Sequence, residues 1–349
     1  MTIMRYNYLD TAKGISLIFI LMAHSCGFPF NIGEYCITYF VAVFFVISGY
    51  LQSDRYTASF FIRKRIFAIL VPYFAYNLLI LLIYSIWHGF DSLKEFFLAI
   101  LGILYSNYSF YYPPNTENNI FFYRIENDPT WFLTAFFCSN IILLFYMKIC
   151  RQFIHKISFF LFCLAVTMVL ARSLVFLPWN IDKAFIGTAF LIMGHELKQT
   201  KFMEKYINHP NAISVAITFI LFFFYKTLVD LNPGVNMSLR IYGSHGDFSV
   251  ILFVCAGFLG STICIIISKL LDCLLPFLTI FATIGRESLA IMSVHLILFR
   301  ILDTLWLSHI TFHYWTIAML RISLTIALII YTCYIVRHIR RKIYDMTSG

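Results

Sequence analysis

The chain of 349 residues is 60% hydrophobic and only 12% charged, with a mean hydropathy of +0.81. A soluble globular domain of that length cannot bury so much apolar surface, which leaves an integral membrane protein, all-α and polytopic. The net charge of +9 is read first as membrane topology, because Lys and Arg collect in cytoplasmic loops, and second as a sign of an anionic ligand.

The start "MTIMRYNYLD" has no small-residue cleavage site after a short apolar core, so the first hydrophobic segment reads as a retained span. A span needs about 20 mainly apolar residues. Ten segments qualify, some only with a polar residue inside: 8–28, 35–52, 66–87, 131–149, 157–177, 183–198, 212–231, 249–271, 277–299 and 315–336. The sixth is short. No internal repeat is visible, and no loop is long enough for a separate soluble domain, so residues 1–349 read as one transmembrane domain.

With the N-terminus inside, the cytoplasmic connections hold Arg55, Arg63, Lys64, Arg65, Lys148, Arg151, Lys156, Lys198, Lys201, Lys205, Lys269, Arg337, Arg340, Arg341 and Lys342. The opposite set holds only Lys94, Arg124, Lys183, Arg240 and Arg300. This bias places both termini in the cytoplasm, as an even number of spans requires.

In the first segment Lys13 and His24 lie eleven positions apart. At about 100° per residue they return to within about 20° of the same helix face, roughly 16 Å apart along the axis. Asp10, three residues before Lys13, shares that face. Ionisable groups at membrane depth face a cavity or a partner and are functional candidates. Two plainer readings stay open: Asp10 with Lys13 as an ion pair at the membrane boundary, and His24 as a histidine satisfied by a neighbouring helix.

The triplet Arg63, Lys64 and Arg65 directly precedes the third span. It is either an anchor gripping anionic membrane lipid or a clamp for the phosphates of an anionic cofactor, where Arg offers bidentate geometry. The connection 88–130 contains "YSNYSFYYPPNTENNIFFYRIENDPTWF", rich in Tyr, Phe and Asn and broken by Pro113 and Pro114. Aromatic platforms with amide groups suit carbohydrate, and they equally suit a loop resting on the bilayer surface.

Arg172, His195, Glu196, Arg286, Glu287, His295 and Arg321 also fall in or near apolar stretches and are expected to converge on an interior. Arg286 paired with Glu287 or Arg321 could instead only hold helices together. Nine cysteines, among them Cys138, Cys163, Cys255 and Cys264, form no CxxC pair and no Cys/His cluster. Neither a disulfide framework nor a metal site is expected.

Five fragments, "YLDTAKGISLIFILMAH", "VFFVISGYL", "RKRIFAILVPYF", "DPTWFLTAFF" and "TIGRESLAIMSVHLIL", resemble in order and spacing the integral membrane acyltransferase family 3. The stretch "VDLNPGVNMSLRIYGSHGDFSVILFVCAGFLG" resembles its branch of fucose 4-O-acetylase-like proteins. The resemblance implies transfer of an acyl group, usually acetyl from acetyl-CoA, to a hydroxyl of a saccharide or lipid-linked sugar of the cell envelope, in a bacterial cytoplasmic (inner) membrane. It puts the family's basic residue and histidine on Lys13 and His24, its Ser-Gly-aromatic motif on Ser48, Gly49 and Tyr50, and CoA contacts on Arg63, Lys64 and Arg65. Many members carry Arg where this chain has Lys13, which keeps the charge and loses the bidentate fork.

On this reading His24 is general base for the acceptor hydroxyl, or the transient carrier of the acyl group. Lys13 and Asp10 orient the donor arm or the histidine. Trp131, Arg172, Arg286, Glu287, His295 and Arg321 are candidates for acceptor binding. No GxSxG elbow supplies another nucleophile, and no nucleic-acid partner is expected. A secondary transporter would also show many spans with buried charges, but without an evident repeat; an amino-acid uptake or racemase system is a third reading.

Overall fold

The computed structural model describes residues 7–25, 33–53, 57–107, 125, 127–173, 175–207, 211–237, 245–274, 279–306 and 314–348. Most of the aromatic stretch of the connection 88–130, including Pro113, Pro114 and Arg124, lies outside the described residues, as do Arg55 and Arg240. The regular elements are helices: α1 (Asn7–Ser25), α2 (Gly33–Tyr39), α3 (Ala42–Leu51), α4 (Ala58–Arg65), α5 (Val71–Trp87), α6 (Leu93–Tyr105), α7 (Trp131–Ile149) and α8 (Phe153–Arg172). There follow α9 (Ile181–Gln199), α10 (Phe202–Tyr206), α11 (Ala212–Leu231), α12 (Phe248–Leu274), α13 (Thr279–Arg286), α14 (Ser288–Leu305) and α15 (Tyr314–Ser348). Among the described residues, eight helices are long and apolar enough to cross a membrane. The protein is an all-α, multi-pass integral membrane protein.

Ten spans were expected, and α1 and α9 occupy the first and sixth without reaching the apolar threshold of the eight. The reason is position. Both sit inside the bundle, where α9 buries an almost continuous run from Ile186 to Ile192 and α1 buries Leu9 to Ala12, Gly14, Ser16 and Leu17. A helix shielded by other helices tolerates polar residues that lipid would reject. The outer helices show the reverse: Leu78, Leu82 and Ile86 of α5 and Phe219, Phe223 and Phe224 of α11 are exposed, forming apolar surface for lipid tails.

Two segments depart from expectation. The connection 88–130 is not wholly loop, because α6 forms within it. Ser92 caps its N-terminus by accepting from the Glu95 backbone N–H, the Ser-x-x-Glu signature of a helix start. With 13 residues it is too short to span. The ninth segment, 277–299, is broken at Glu287 (φ −94°, ψ 11°), whose N–H is shared between the Thr283 and Ile284 carbonyls at 3.2 Å each.

Glycines set the two closest helix contacts. A Cβ on Gly14 would lie 2.0 Å from the Phe281 carbonyl oxygen, and one on Gly285 1.8 Å from that of Asp10. Each carbonyl stands four residues before the glycine of its own helix, so α1 and α13 run in the same direction with Gly14 opposite Gly285. The same reciprocity joins α3 and α9, where a Cβ on Gly49 would lie 2.0 Å from the Leu191 oxygen and one on Gly194 2.0 Å from that of Val46. Backbones this close gain dispersion and Cα–H···O contacts in a setting where the hydrophobic effect between helices is absent.

Substitution of Gly285 by Val should therefore force α13 away from α1, at an overpacking cost of about 1–3 kcal/mol or more. The expected result is a lower thermal midpoint in detergent and loss of monodisperse protein; an unchanged midpoint would show that the contact is not structural.

Candidate functional site

At the end of the bundle where α3 stops and α4 begins, a cavity of about 440 Å³ is lined by Lys13, Ser48, Gln52, Lys64, Arg65 and Ser288, with Ile47, Leu51 and Ile69 among its apolar walls. Among the described residues three cations front it and no carboxylate does. Between α4 and α5 the helix carries a π turn, Ile66–Leu70, which offsets the helix face as such bulges do. Lys64 and Arg65 before it and Ala68 and Ile69 within it thereby face one chamber. The Arg65 guanidinium donates to Gln52 Oε1 at 2.8 Å, and Lys198 Nζ donates to the Gln52 carbonyl at 3.0 Å. Lys13 stands 3.2 Å from Asp10 Oδ1, the ion pair that spacing allowed, and still reaches the cavity.

Farther along α1 a second cavity, about 170 Å³, is lined by His24, Asn107, Asp128, Trp131, Asn180 and Lys183, with Phe40 and Phe176. Its polar lining is amide, carboxylate, ammonium and imidazole set among aromatic faces. Lys183 Nζ donates to Asn180 Oδ1 at 2.7 Å, lies 3.4 Å from Asp182, and stands 5.3 Å and 5.0 Å from the ring centroids of Trp131 and Phe176. A buried ammonium is stabilised there by hydrogen bond, charge and π-faces together. Asn180 holds this corner in a left-handed conformation (φ 51°), one that Asn tolerates better than most residues, and donates to the Ser106 carbonyl at 2.8 Å.

Phe132 and Met292 line both cavities and form the wall between them. Phe132 is held in an aromatic cluster, stacked on Phe136 at 5.4 Å and edge-on to Phe45 at 5.3 Å. Lys13 and His24 thus stand on one helix and front two chambers that share a wall. Such an arrangement can receive an anionic, flexible donor in one chamber and a polar acceptor in the other.

The structure brings together only part of the expected site. Ser48, Lys64 and Arg65 reach the basic chamber, whereas Arg63 lies over the Phe67 ring at 5.9 Å; neither Arg63 nor the buried Tyr50 lines either cavity. Trp131 reaches the His24 chamber; Arg172, Arg286, Glu287, His295 and Arg321 line neither. Arg172 is 61% exposed and paired with Asp247, so it does not converge on an interior. Glu287 binds Arg337 at 2.6 Å and Arg321 binds Asp303 at 2.9 Å, while Arg286 donates to the Ala282 carbonyl; the expected pairing among Arg286, Glu287 and Arg321 is replaced by partners on other turns and helices. Glu196 accepts from Tyr146 and Lys156 and meets His195, a cluster that ties α7, α8 and α9.

Lys183, Asn180, Asp128, Asn107, Gln52 and Ser288 were not singled out from sequence. A signal did exist in "PWNIDK", where Asn and Lys three apart precede a span. Neither a curated protein nor a solved structure matches the chain. The family profile described as an acyltransferase domain, acyltransferase 3, matches residues 6–336. Extending over nearly all of the helices that build both chambers, this match establishes that the chain belongs to the acyltransferase 3 family of membrane acyltransferases.

Proposed function

We propose that the protein transfers an acetyl group from acetyl-CoA to a hydroxyl of a cell-envelope saccharide or lipid-linked sugar, as in the fucose 4-O-acetylase-like branch. The observation that carries this reading is the wall shared by a chamber of three cations and a chamber containing His24. Lys13, Lys64 and Arg65 suit the phosphates of CoA, and the apolar side of their chamber suits its pantetheine arm. Trp131, Phe176, Asn107, Asp128 and Asn180 suit a sugar, with rings for its faces and amide or carboxylate groups for its hydroxyls.

His24 takes the acceptor hydroxyl proton as the oxygen attacks the thioester carbonyl. The C–O bond forms, the C–S bond breaks, and the proton passes on to the CoA thiolate. A neutral imidazole is suited to both transfers near neutral pH. The thioester reaches His24 from the Lys13 side, so the Phe132 and Met292 side chains must part, which favours a short acyl group. The basic chamber then faces the cytoplasm of a bacterial inner membrane, with both termini on that side. The transporter reading has no observation in its favour beside the family match.

In membranes supplied with radiolabelled acetyl-CoA, His24→Ala should abolish label in the lipid-extractable and polysaccharide fractions while the protein stays in the membrane; retained label removes His24 from the chemistry. The double change Lys64→Gln with Arg65→Gln should raise the KM for acetyl-CoA by roughly tenfold, as for lost charge-assisted contacts, with kcat nearly kept. Arg63→Gln, outside the chamber, should leave that KM in place; equal effects of both would assign the triplet to topology.

A further inference from the structure

His295 is fully buried and lines neither chamber, so it does not serve as an acceptor-binding group. Its Nδ1 lies 3.1 Å from the Ile291 carbonyl oxygen and 3.1 Å from that of Met292. Carbonyl oxygens only accept, which places a proton on Nδ1 and leaves Nε2 of the neutral ring as a bare lone pair. That Nε2 has no hydrogen-bond partner among the described residues. Buried polar atoms are nearly always satisfied, and an exception needs a physical account.

The neighbour that can provide it is His24. The two imidazoles meet edge to face, with centroids 5.2 Å apart and planes at 61°. His24 stands ten residues after Gly14 on α1, and His295 stands ten residues after Gly285 but beyond the break at Glu287, on α14; the two glycines lie opposite one another and bring the start of α14 beside α1. On its far side His295 packs edge-on against Phe299 at 5.6 Å, over which the Arg321 guanidinium lies at 5.7 Å. The His295 ring is therefore held between fixed neighbours, whereas the His24 ring is exposed to its chamber.

We propose that His295 is a positioning residue for His24, its Nε2 accepting the N–H of one His24 nitrogen so that the other nitrogen faces the acceptor hydroxyl unprotonated. This rests on the reading of His24 as general base. Forming the bond requires the exposed His24 ring to turn about χ2, and catalytic hydrogen bonds of this kind tighten when substrate is bound. During transfer the hydroxyl proton moves to the chamber-facing nitrogen, His24 becomes an imidazolium with two N–H donors, and His295 keeps the one it already holds. The second proton leaves with the CoA thiolate, so His295 gains and loses nothing.

The test compares His295→Phe, which keeps an aromatic ring against Phe299 and lacks the acceptor, with His295→Gln, whose amide oxygen can take the place of Nε2. With purified protein and acetyl-CoA, the Phe variant should lose about 100-fold in kcat, within the range for general acid–base catalysis, with the KM for acetyl-CoA unchanged. The Gln variant should recover most of that loss. If the Phe variant does not elute as folded protein, His295→Asn, whose amide stops one carbon short, is expected to show the same loss beside an active Gln variant. Equal kcat in the Gln and acceptor-lacking variants, whether both high or both low, overturns the proposal. His24→Ala separates the two claims: full activity there defeats the base reading itself, whereas an inactive His24→Ala beside a fully active His295→Phe defeats only the role of His295.

Discussion

The contact on which the rest of the arrangement depends is the approach of two backbones at Gly14 and Gly285. No side chain fits between α1 and α13 there, since a Cβ on either would fall within 2.0 Å of a carbonyl oxygen across the interface. In lipid, where apolar surfaces gain nothing from meeting one another, this closeness is itself the source of attraction. It also acts as a ruler. With the glycines in register, α13 is fixed against α1, and beyond its end His24 of α1 meets His295 of α14. The break at Glu287, tethered by Arg337, lets α14 leave the line of α13 so that Ser288 and Leu289 face the basic chamber while Met292 reaches both chambers.

Around that axis the polar groups sort by what can reach them. Glu196 gathers Tyr146, Lys156 and His195 and joins three helices. Arg321 and Asp303 pair across α15 and α14, and Arg172 with Asp247 lies at the exposed margin. These groups are paired with partners on other elements and hold helices in place. Lys13, Lys64, Arg65, His24, Asp128 and Lys183 have partners too, yet they front space. In a membrane protein an ionisable residue beside a cavity is a stronger functional sign than an ionisable residue alone.

The membrane class, eight of the ten segments as single helical stretches and the stripe from Lys13 to His24 were legible because each depends on local composition or on the 3.6-residue period of one helix. The amphipathic α6 was missed, although Ser92 and Glu95 mark its start, because a helix of 13 residues falls below the length that a spanning segment needs. Lys183 and Asn180 were passed over since a lysine at the mouth of a span looks like an ordinary boundary charge. Its π-faces, Trp131 and Phe176, come from other parts of the chain.

By itself the sequence determined that this chain lives in a bilayer, that it belongs with membrane acyltransferases, and that Lys13 and His24 share a helix face. Those properties follow from hydropathy, ordered motifs and helical geometry, all of which are written along the chain. Only the tertiary structure decided which charges pair, that Arg63 turns away while Lys64 and Arg65 turn in, and that Phe132 and Met292 divide the two chambers. Pairing and enclosure depend on distances between helices remote in sequence. Those distances are set by small residues such as Gly14, Gly49, Gly194 and Gly285, whose effect is felt only when the opposite backbone arrives.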